Sequence, residues 1–172
     1  NKAMHPFNPY NYNRPAVYKD FGFTDFIDKF DFPKNVKRVR EYISDEANVD
    51  RIISEYEKNR KKTDQPFYMY NMTIQNHSPY DKDAANFKQP IKIESSKYDA
   101  EANRYLNLIK YSDDSLKQLT GYFEKCKEPT IILFLGDHQP RLTDEFMNKI
   151  TNGQYQTWSS EQMMKHYQVP FV

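Results

Sequence analysis

The sequence is poor in cysteine and in long apolar runs. Its 172 residues contain one cysteine, Cys126, which excludes an internal disulfide framework and a multi-cysteine zinc site. The longest uninterrupted apolar run, Ile131–Leu135, is far shorter than the ~20 residues that cross a bilayer. The 25 basic and 24 acidic side chains nearly cancel, and this argues against nucleic-acid binding driven by bulk charge. We therefore expect no nucleic-acid partner.

Aromatic side chains are abundant instead, at 16% of the sequence, whereas glycine occurs only four times. These rings supply enough apolar area for a core. Asn, Pro and aromatic residues alternate without a period over residues 1–35, and the prolines there block long helices. Because disordered segments are poor in aromatic residues, we predict an ordered, site-forming loop region rather than a disordered tail.

The remaining residues, 36–172, have the pattern of an α/β core. The apolar spacing predicts a helix opening at Ser44, a strand over 67–74, a helix from about 100 to 127, a strand over 130–135, a short helix near 159–166 and a strand over 169–172. The run over 130–135 is typical of a buried parallel strand. This order of elements predicts an α/β fold with a partly parallel sheet and flanking helices.

The strongest local signal is the tripeptide Gly136-Asp137-His138, which follows the second predicted strand. Open α/β sheets bind ligands at the carboxyl ends of their strands. A glycine allows the backbone to turn sharply, so that the Asp and His side chains can reach one divalent ion. Zinc and manganese both accept such mixed ligands. Asp and His at strand ends also cap loops, so a metal site and a structural cap both remain open.

Three further polar side chains are candidates for the same site. His77 follows the first predicted strand, so it is expected at the same sheet edge as Asp137 and His138. Arg14 carries a planar fork that matches phosphate or sulfate oxygens, and His5 lies near it in the N-terminal segment. A single histidine in a turn is more often structural. We predict that these five side chains share one concave surface.

Five motifs occur in a distinctive order along almost the whole chain. They are His5-Pro6 with Tyr12-Asn13-Arg14, the stretch 66–80 that contains Asn76-His77-Ser78-Pro79-Tyr80, the helical stretch 105–113, the turn 134–140 around Gly136-Asp137-His138, and the late strand 167–171. Together these motifs resemble the lipoteichoic acid synthase family, phosphoglycerol transferases within the alkaline phosphatase and sulfatase superfamily. Tyr12 stands where that family usually has a tryptophan.

The resemblance implies a role for each candidate residue. Asp137 and His138 would be metal ligands, while His5, Arg14 and His77 would contact the phosphoglycerol, with His77 also catalytic. The resemblance implies a divalent metal, manganese first, with magnesium or zinc as alternatives. It also implies a phosphatidylglycerol-type lipid or a glycerol-phosphate polymer as the partner, and a reaction on the extracytoplasmic face of the bacterial membrane, in cell-envelope polymer synthesis.

The family's catalytic threonine, an acidic metal ligand and the membrane helices lie upstream of its first motif. We therefore expect residues 1–172 to form the C-terminal part of one alkaline phosphatase/sulfatase-like catalytic domain, soluble, inactive alone and a weak metal binder. Two alternatives remain open, because a fold does not determine a reaction. One is a sulfatase or other phosphoesterase on the same scaffold. The other is a catalytically inactive module that binds glycans or lipid head groups.

Overall fold

A computed structural model describes residues 1–94, 99–151, 153 and 157–172. The principal elements are β1 (Lys2–Met4), α1 (Arg14–Asp20), β2 (Asp25–Ile27), β3 (Arg38–Val39), β4 (Tyr42–Ile43), α2 (Asp45–Lys62), β5 (Met69–Asn71), α3 (Ala100–Phe123), α4 (Asp144–Thr151) and α5 (Ser160–Lys165). Strands and helices alternate over much of the chain, which confirms the predicted α/β class with a partly parallel sheet.

The central strand of the main sheet comes from the N-terminal segment. The strand order is β2-β1-β5, and β1 is parallel to both neighbours. The expectation that residues 1–35 are irregular was therefore wrong, because they contribute two of these three strands and helix α1. A strand of three residues is too short to show a period, and the complete burial of Ala3 and Met4 makes β1 part of the core.

Helices α2 and α3 pack against each other and begin where the sequence predicts. The Ser44 hydroxyl accepts a hydrogen bond from the Ala47 N–H at 3.1 Å and so caps α2. Helix α3 ends at Phe123, four residues before its predicted end at Lys127. Helix α4 was not predicted. Among the described residues, no helix is both long and apolar enough to cross a bilayer.

Two apolar clusters form the core. One lies where the parallel sheet meets α2, and the other lies between α3 and the chain that follows β5. The first contains Met4, Ile27, Phe32, Ile43 and Ala47, and the second contains Val39, Tyr80, Phe87 and Leu108. The site-bearing turns after β1 and β5 are therefore anchored to packed side chains.

The predicted buried parallel strand over 130–135 was wrong. This segment pairs in the antiparallel sense, through a bridge between Leu135 and Phe171. The Phe134 N–H donates to the Val172 carbonyl at 2.9 Å. The apolar side chains of Ile131, Leu133 and Leu135 are exposed, that of Ile131 by 96%. Pairing along one edge does not cover the faces of a strand, so an apolar run alone does not specify burial.

Candidate active site

His5 directly follows the central strand β1 and is almost completely buried, with 2% of its surface exposed. Its Nδ1 lies 3.0 Å from the Met72 carbonyl oxygen. Because a carbonyl only accepts, Nδ1 carries the proton and Nε2 is left as an acceptor. Burial lowers the pKa of His5, and the charges of Arg14 and His77 add to this effect, against the Met72 hydrogen bond and Asp137. The ring is therefore neutral at pH 7.

Arg14 opens helix α1, immediately after two residues in the left-handed region, Tyr12 (φ 57°) and Asn13 (φ 49°). Its guanidinium donates to the Asn11 carbonyl at 3.1 Å and lies 4.9 Å from the centre of the Tyr12 ring. A third contact, 3.8 Å long, joins it to the Met72 sulfur. The guanidinium is therefore held beside the residue whose carbonyl holds His5.

His77 lies on a turn that follows β5, and hydrogen bonds of a buried polar network hold this turn in place. The Asn76 side chain donates to the Ser112 hydroxyl at 2.8 Å, and that hydroxyl donates to the Asp45 carboxylate at 2.5 Å. The Asp45 N–H donates to the Gln75 side chain at 3.0 Å. Burial raises the pKa of Asp45 to about 6, against the Ser112 hydrogen bond. This network links the turn to both long helices.

Arg40, which was not among the predicted site residues, lies under the same turn. This buried residue has a left-handed backbone (φ 54°) and reaches carbonyl oxygens of the His77 turn with its guanidinium. No motif marks it, because it lies more than 30 positions before the turn and beside an ordinary basic run. Arg40 lies between two short strands, and nothing in the neighbouring sequence distinguishes it from an arginine on the surface.

Asp137 and His138 are exposed, by 73% and 72% of their side chains. The His138 Nδ1 lies 2.9 Å from the Gln139 carbonyl oxygen, so Nε2 is the free ring atom, and it lies 3.9 Å from the Asp137 Oδ2. Gly136 does not have a left-handed backbone. A glycine is needed at position 136 because the backbone passes close to Val169, and an added Cβ would lie 3.2 Å from the Val169 Cβ.

The spacing of Asp137 and His138 is close to that of two ligands of one metal ion. Bonds of ~2.1 Å place adjacent donor atoms ~3.0–3.4 Å apart, and these two exposed side chains, now 3.9 Å apart, would move together by about half an ångström. The Gln139 carbonyl orients the His138 ring, as is common for a metal-binding histidine. Among the described residues, however, no group of three or more His, Cys, Asp or Glu side chains could hold an ion. The pair therefore fits part of a metal site.

The structure brings three predicted residues together. His5 and Arg14 both contact Met72, and ring contacts through Phe7 and Tyr42 connect His5 with His77. Asp137 is near enough to oppose the lowering of the His5 pKa, although it lies 132 positions away in the sequence. The phenol of Tyr70 also experiences Arg14 and Asp137. His138 joins this group through its contact with Asp137.

The predicted single concave surface is only partly present. A cleft of about 440 Å³ lies beside Asp137 and His138, and His166 and Tyr167 also line it. His5, Arg14 and His77 are not among its lining residues. The candidate residues are therefore close in space, but the cleft includes only the exposed pair.

His5 and the turn that carries His77 follow the parallel strands β1 and β5, where open α/β sheets place their ligand sites. A sequence model described as Sulfatase matches residues 1–172, the whole chain. The chain therefore belongs to the sulfatase family.

Within this family, the chain is similar to a protein named for glucan modification and to lipoteichoic acid synthases. It is 35% identical over 144 residues to a Rhizobium meliloti protein named "Putative cyclic beta-1,2-glucan modification protein", and the match covers 82% of this chain and 22% of that protein. It is 26% identical over 136 residues to the lipoteichoic acid synthase of Staphylococcus aureus, which covers 74% of this chain and 19% of that protein. The chain thus spans about a fifth of these relatives.

Solved structures share the fold. The lipoteichoic acid synthase LtaP from Listeria monocytogenes matches 99% of this chain and 42% of its own, with a TM-score of 0.77 and 22% identity. The phosphoglycerol transferase GacH from Streptococcus pyogenes, solved in complex with sn-glycerol-1-phosphate, matches 90% of this chain and 40% of its own, with a TM-score of 0.67 and 25% identity. These matches confirm the lipoteichoic acid synthase-like resemblance inferred from the motifs.

Proposed function

We propose that this chain forms the head-group-binding part of a metal-dependent phosphoglycerol transferase. A phosphatidylglycerol-type lipid would donate phosphoglycerol to a cell-envelope polymer or glycan, and diacylglycerol would be released. The reaction would occur on the extracytoplasmic face of the bacterial membrane, in a longer, membrane-anchored protein. The glycerol-phosphate complex of the Streptococcus pyogenes transferase supports the ligand class, and the name of the Rhizobium meliloti relative supports a glucan as one acceptor.

The convergence of His5 and Arg14 on Met72, with the His77 ring 6.2 Å from that of Tyr42, carries this proposal, because a phosphodiester with a glycerol group requires complementary partners. The Arg14 fork would bind the phosphate oxygens. The neutral His5, with Nε2 free, would accept a hydrogen bond from a glycerol hydroxyl. His77 would donate to a phosphoryl oxygen or protonate the leaving oxygen.

Asp137 and His138 would hold a divalent metal together with further ligands. Manganese is the first candidate, and magnesium and zinc are the alternatives. When bound, the metal would supply positive charge that polarises the phosphoryl group. The chain itself contributes the orientation of the ligands, because the Gln139 carbonyl holds the proton on the His138 Nδ1 and leaves Nε2 for the metal.

A sulfatase activity is the second candidate, and the description of the matching family favours it. Sulfate and phosphate esters both present tetrahedral oxygens to an arginine fork, so Arg14 would serve either substrate. His5 favours a ligand with an organic group, because its buried neutral acceptor is suited to a hydroxyl such as that of glycerol, which inorganic sulfate lacks.

Titration calorimetry of the chain with sn-glycerol-1-phosphate, inorganic sulfate and glycerol, each with and without manganese, tests the proposal. We expect glycerol phosphate to bind more tightly than sulfate. Arg14→Gln should weaken this binding by about tenfold or more, because charge-assisted hydrogen bonds are worth ~1.5–3 kcal/mol. Arg38→Gln is the matched control, because the Arg38 side chain is exposed and contacts the Glu41 carbonyl.

Two outcomes of this titration would contradict the proposal. Sulfate binding as tight as that of glycerol phosphate would favour the sulfatase candidate. If Arg14→Gln leaves the affinity for each ligand unchanged, Arg14 does not contribute to binding.

The purified chain should release no glycerol phosphate from phosphatidylglycerol vesicles above background. The motifs that match the lipoteichoic acid synthase family include no counterpart of its nucleophilic threonine, and without a nucleophile no covalent intermediate forms. Enzymatic quantification of released glycerol phosphate checks this expectation. Metal-dependent turnover by the chain alone would show that the nucleophile lies within these 172 residues.

A further inference from the structure

Arg40 occupies an unusual position in the hairpin between β3 and β4. Only 9% of it is exposed, and its backbone is left-handed with φ 54°, a conformation that is unfavourable for a residue with a Cβ. Asn86 holds it there, because the Asn86 side chain accepts from the Arg40 N–H at 3.1 Å and donates to the Arg40 carbonyl at 3.0 Å. The chain thus maintains a strained backbone to bring this guanidinium inside.

The guanidinium binds the whole turn that carries His77. Nη2 donates to the Gln75 carbonyl at 2.7 Å and to the His77 carbonyl at 2.8 Å, while Nη1 donates to the Pro79 carbonyl at 2.6 Å. Three backbone carbonyls within five residues are therefore oriented toward one side chain. A lysine has a single point of charge and could not reproduce this planar arrangement.

Two tyrosine rings enclose the guanidinium. Its central carbon lies 5.2 Å from the centre of the Tyr42 ring and 5.7 Å from that of the Tyr80 ring. The Tyr80 hydroxyl donates to the Asn76 carbonyl at 2.9 Å, so a fourth carbonyl of the turn is also held. The rings favour the cation electrostatically and exclude water from its hydrogen bonds.

The His77 ring has much weaker support of its own. The residue is exposed, its Nδ1 contacts the adjacent Ser78 carbonyl at 2.6 Å, and its ring centre lies 6.2 Å from that of Tyr42. Since both contacts depend on where the turn lies, the backbone determines where the ring lies. Arg40 holds three carbonyls of that backbone, whereas the Asn76 network holds side chains of the turn.

We propose that Arg40 is a positioning residue for His77, acting through the three carbonyls of the turn. This inference rests on the proposed function, in which His77 contacts the phosphoryl group. Arg40 does not touch the substrate; it sets the distance and direction from which His77 reaches it.

The test compares Arg40→Lys and Asn86→Ala with Arg38→Lys, whose parent side chain is exposed. The readouts are the histidine ring signals in NMR, their pH titration, and the affinity for sn-glycerol-1-phosphate. We expect Arg40→Lys to shift the His77 ring signal and its titration while the His5 signal stays in place, because Met72 holds His5. Affinity should fall about tenfold, since a displaced His77 loses its hydrogen bond to a charged phosphoryl oxygen. Asn86→Ala should act in the same direction, and Arg38→Lys should match the parent chain.

Each outcome decides a separate claim. If Arg40→Lys lowers only the free energy of unfolding and leaves the His77 signal and the affinity unchanged, the positioning role is overturned. Should that variant not fold, Asn86→Ala decides by the same criterion. If the parent chain binds no glycerol phosphate but the His77 signal still depends on Arg40, the proposed function fails and positioning of the ring stands.

Discussion

The two parts of the candidate site differ in how they are held. His5 is buried in the packed region, defined here as residues 1–94 and 99–123, and a hydrogen bond determines which of its nitrogens is free. Asp137 and His138 lie in the C-terminal region, residues 124–172, and about three quarters of each side chain is exposed. Among the described residues of that region, only Phe146 and Met147 are buried.

This difference shows that the proposed head-group contacts and the proposed metal ligands depend on different parts of the protein. The packed region orders its polar groups with its own core, so its geometry should persist in this chain alone. The C-terminal region carries Asp137 and His138 directly after a segment whose apolar side chains Ile131, Leu133 and Leu135 are exposed. In the Listeria monocytogenes protein that shares the fold, the matched part is 42% of the chain. Metal affinity should therefore depend more on further residues than head-group affinity does.

Core packing offers the largest effect that can test this comparison. Leu108 has 0% exposure and lies in the second apolar cluster, whereas Leu133 is 62% exposed. Leu108→Ala should lower the free energy of unfolding by about 2–5 kcal/mol, and Leu133→Ala should change it by less than about 0.5 kcal/mol. Urea denaturation measures both. Equal losses would show that the C-terminal region is buried as deeply as the packed region.

A buried carboxylate offers the next largest effect, and it depends on pH. Burial alone would raise the pKa of Glu55, but hydrogen bonds from Lys2 and Lys58 and the charge of Arg51 lower it to about 2. The ionised Glu55 stabilises the fold fully at pH values above about 4.5, its pKa in the unfolded chain, and this stabilisation is lost as the pH falls toward 2. Glu55→Gln should therefore cost about 2–3 kcal/mol at pH 7 and almost nothing near pH 2.

The matched control for Glu55 lies in the C-terminal region. Glu145 makes an exposed pair with Lys149 at 2.8 Å, and such pairs contribute little because solvent screens them. Glu145→Gln should leave urea denaturation curves unchanged within about 0.5 kcal/mol at every pH. A pH-independent loss in Glu55→Gln would contradict the ion-pair explanation and indicate a packing defect instead.

Helix caps give the smallest difference between the two regions. Ser44 is buried and caps the 18-residue helix α2, while the exposed Ser159 caps the six-residue helix α5, where its hydroxyl accepts from the Gln162 N–H at 3.3 Å. Ser44→Ala should lower the free energy of unfolding by about 1 kcal/mol, and Ser159→Ala should lower it by about 0.3 kcal/mol. Thermal and urea unfolding measure both variants. A larger loss for Ser159→Ala would reverse the assigned order of stability.

The sequence by itself determined the elements whose signals are local. The Ser44 cap, the apolar period of α3 and the ordered motifs around His5, His77 and Asp137 led to the correct fold class and the family. These signals are visible because capping, helical spacing and motif order depend on neighbouring residues. The roles assigned to the site residues stay predictions until binding is measured.

The tertiary structure alone decided where the remaining elements lie. It made Lys2–Met4 the central strand, exposed the run 130–135, and placed Arg40 under the turn that carries His77. Each of these features depends on residues far away in the sequence. The strand β1 needs its partners β2 and β5, and the left-handed Arg40 needs Asn86. The apolar run would need another surface to cover it. Burial and pairing are properties of two surfaces in contact, and a linear pattern describes only one of them.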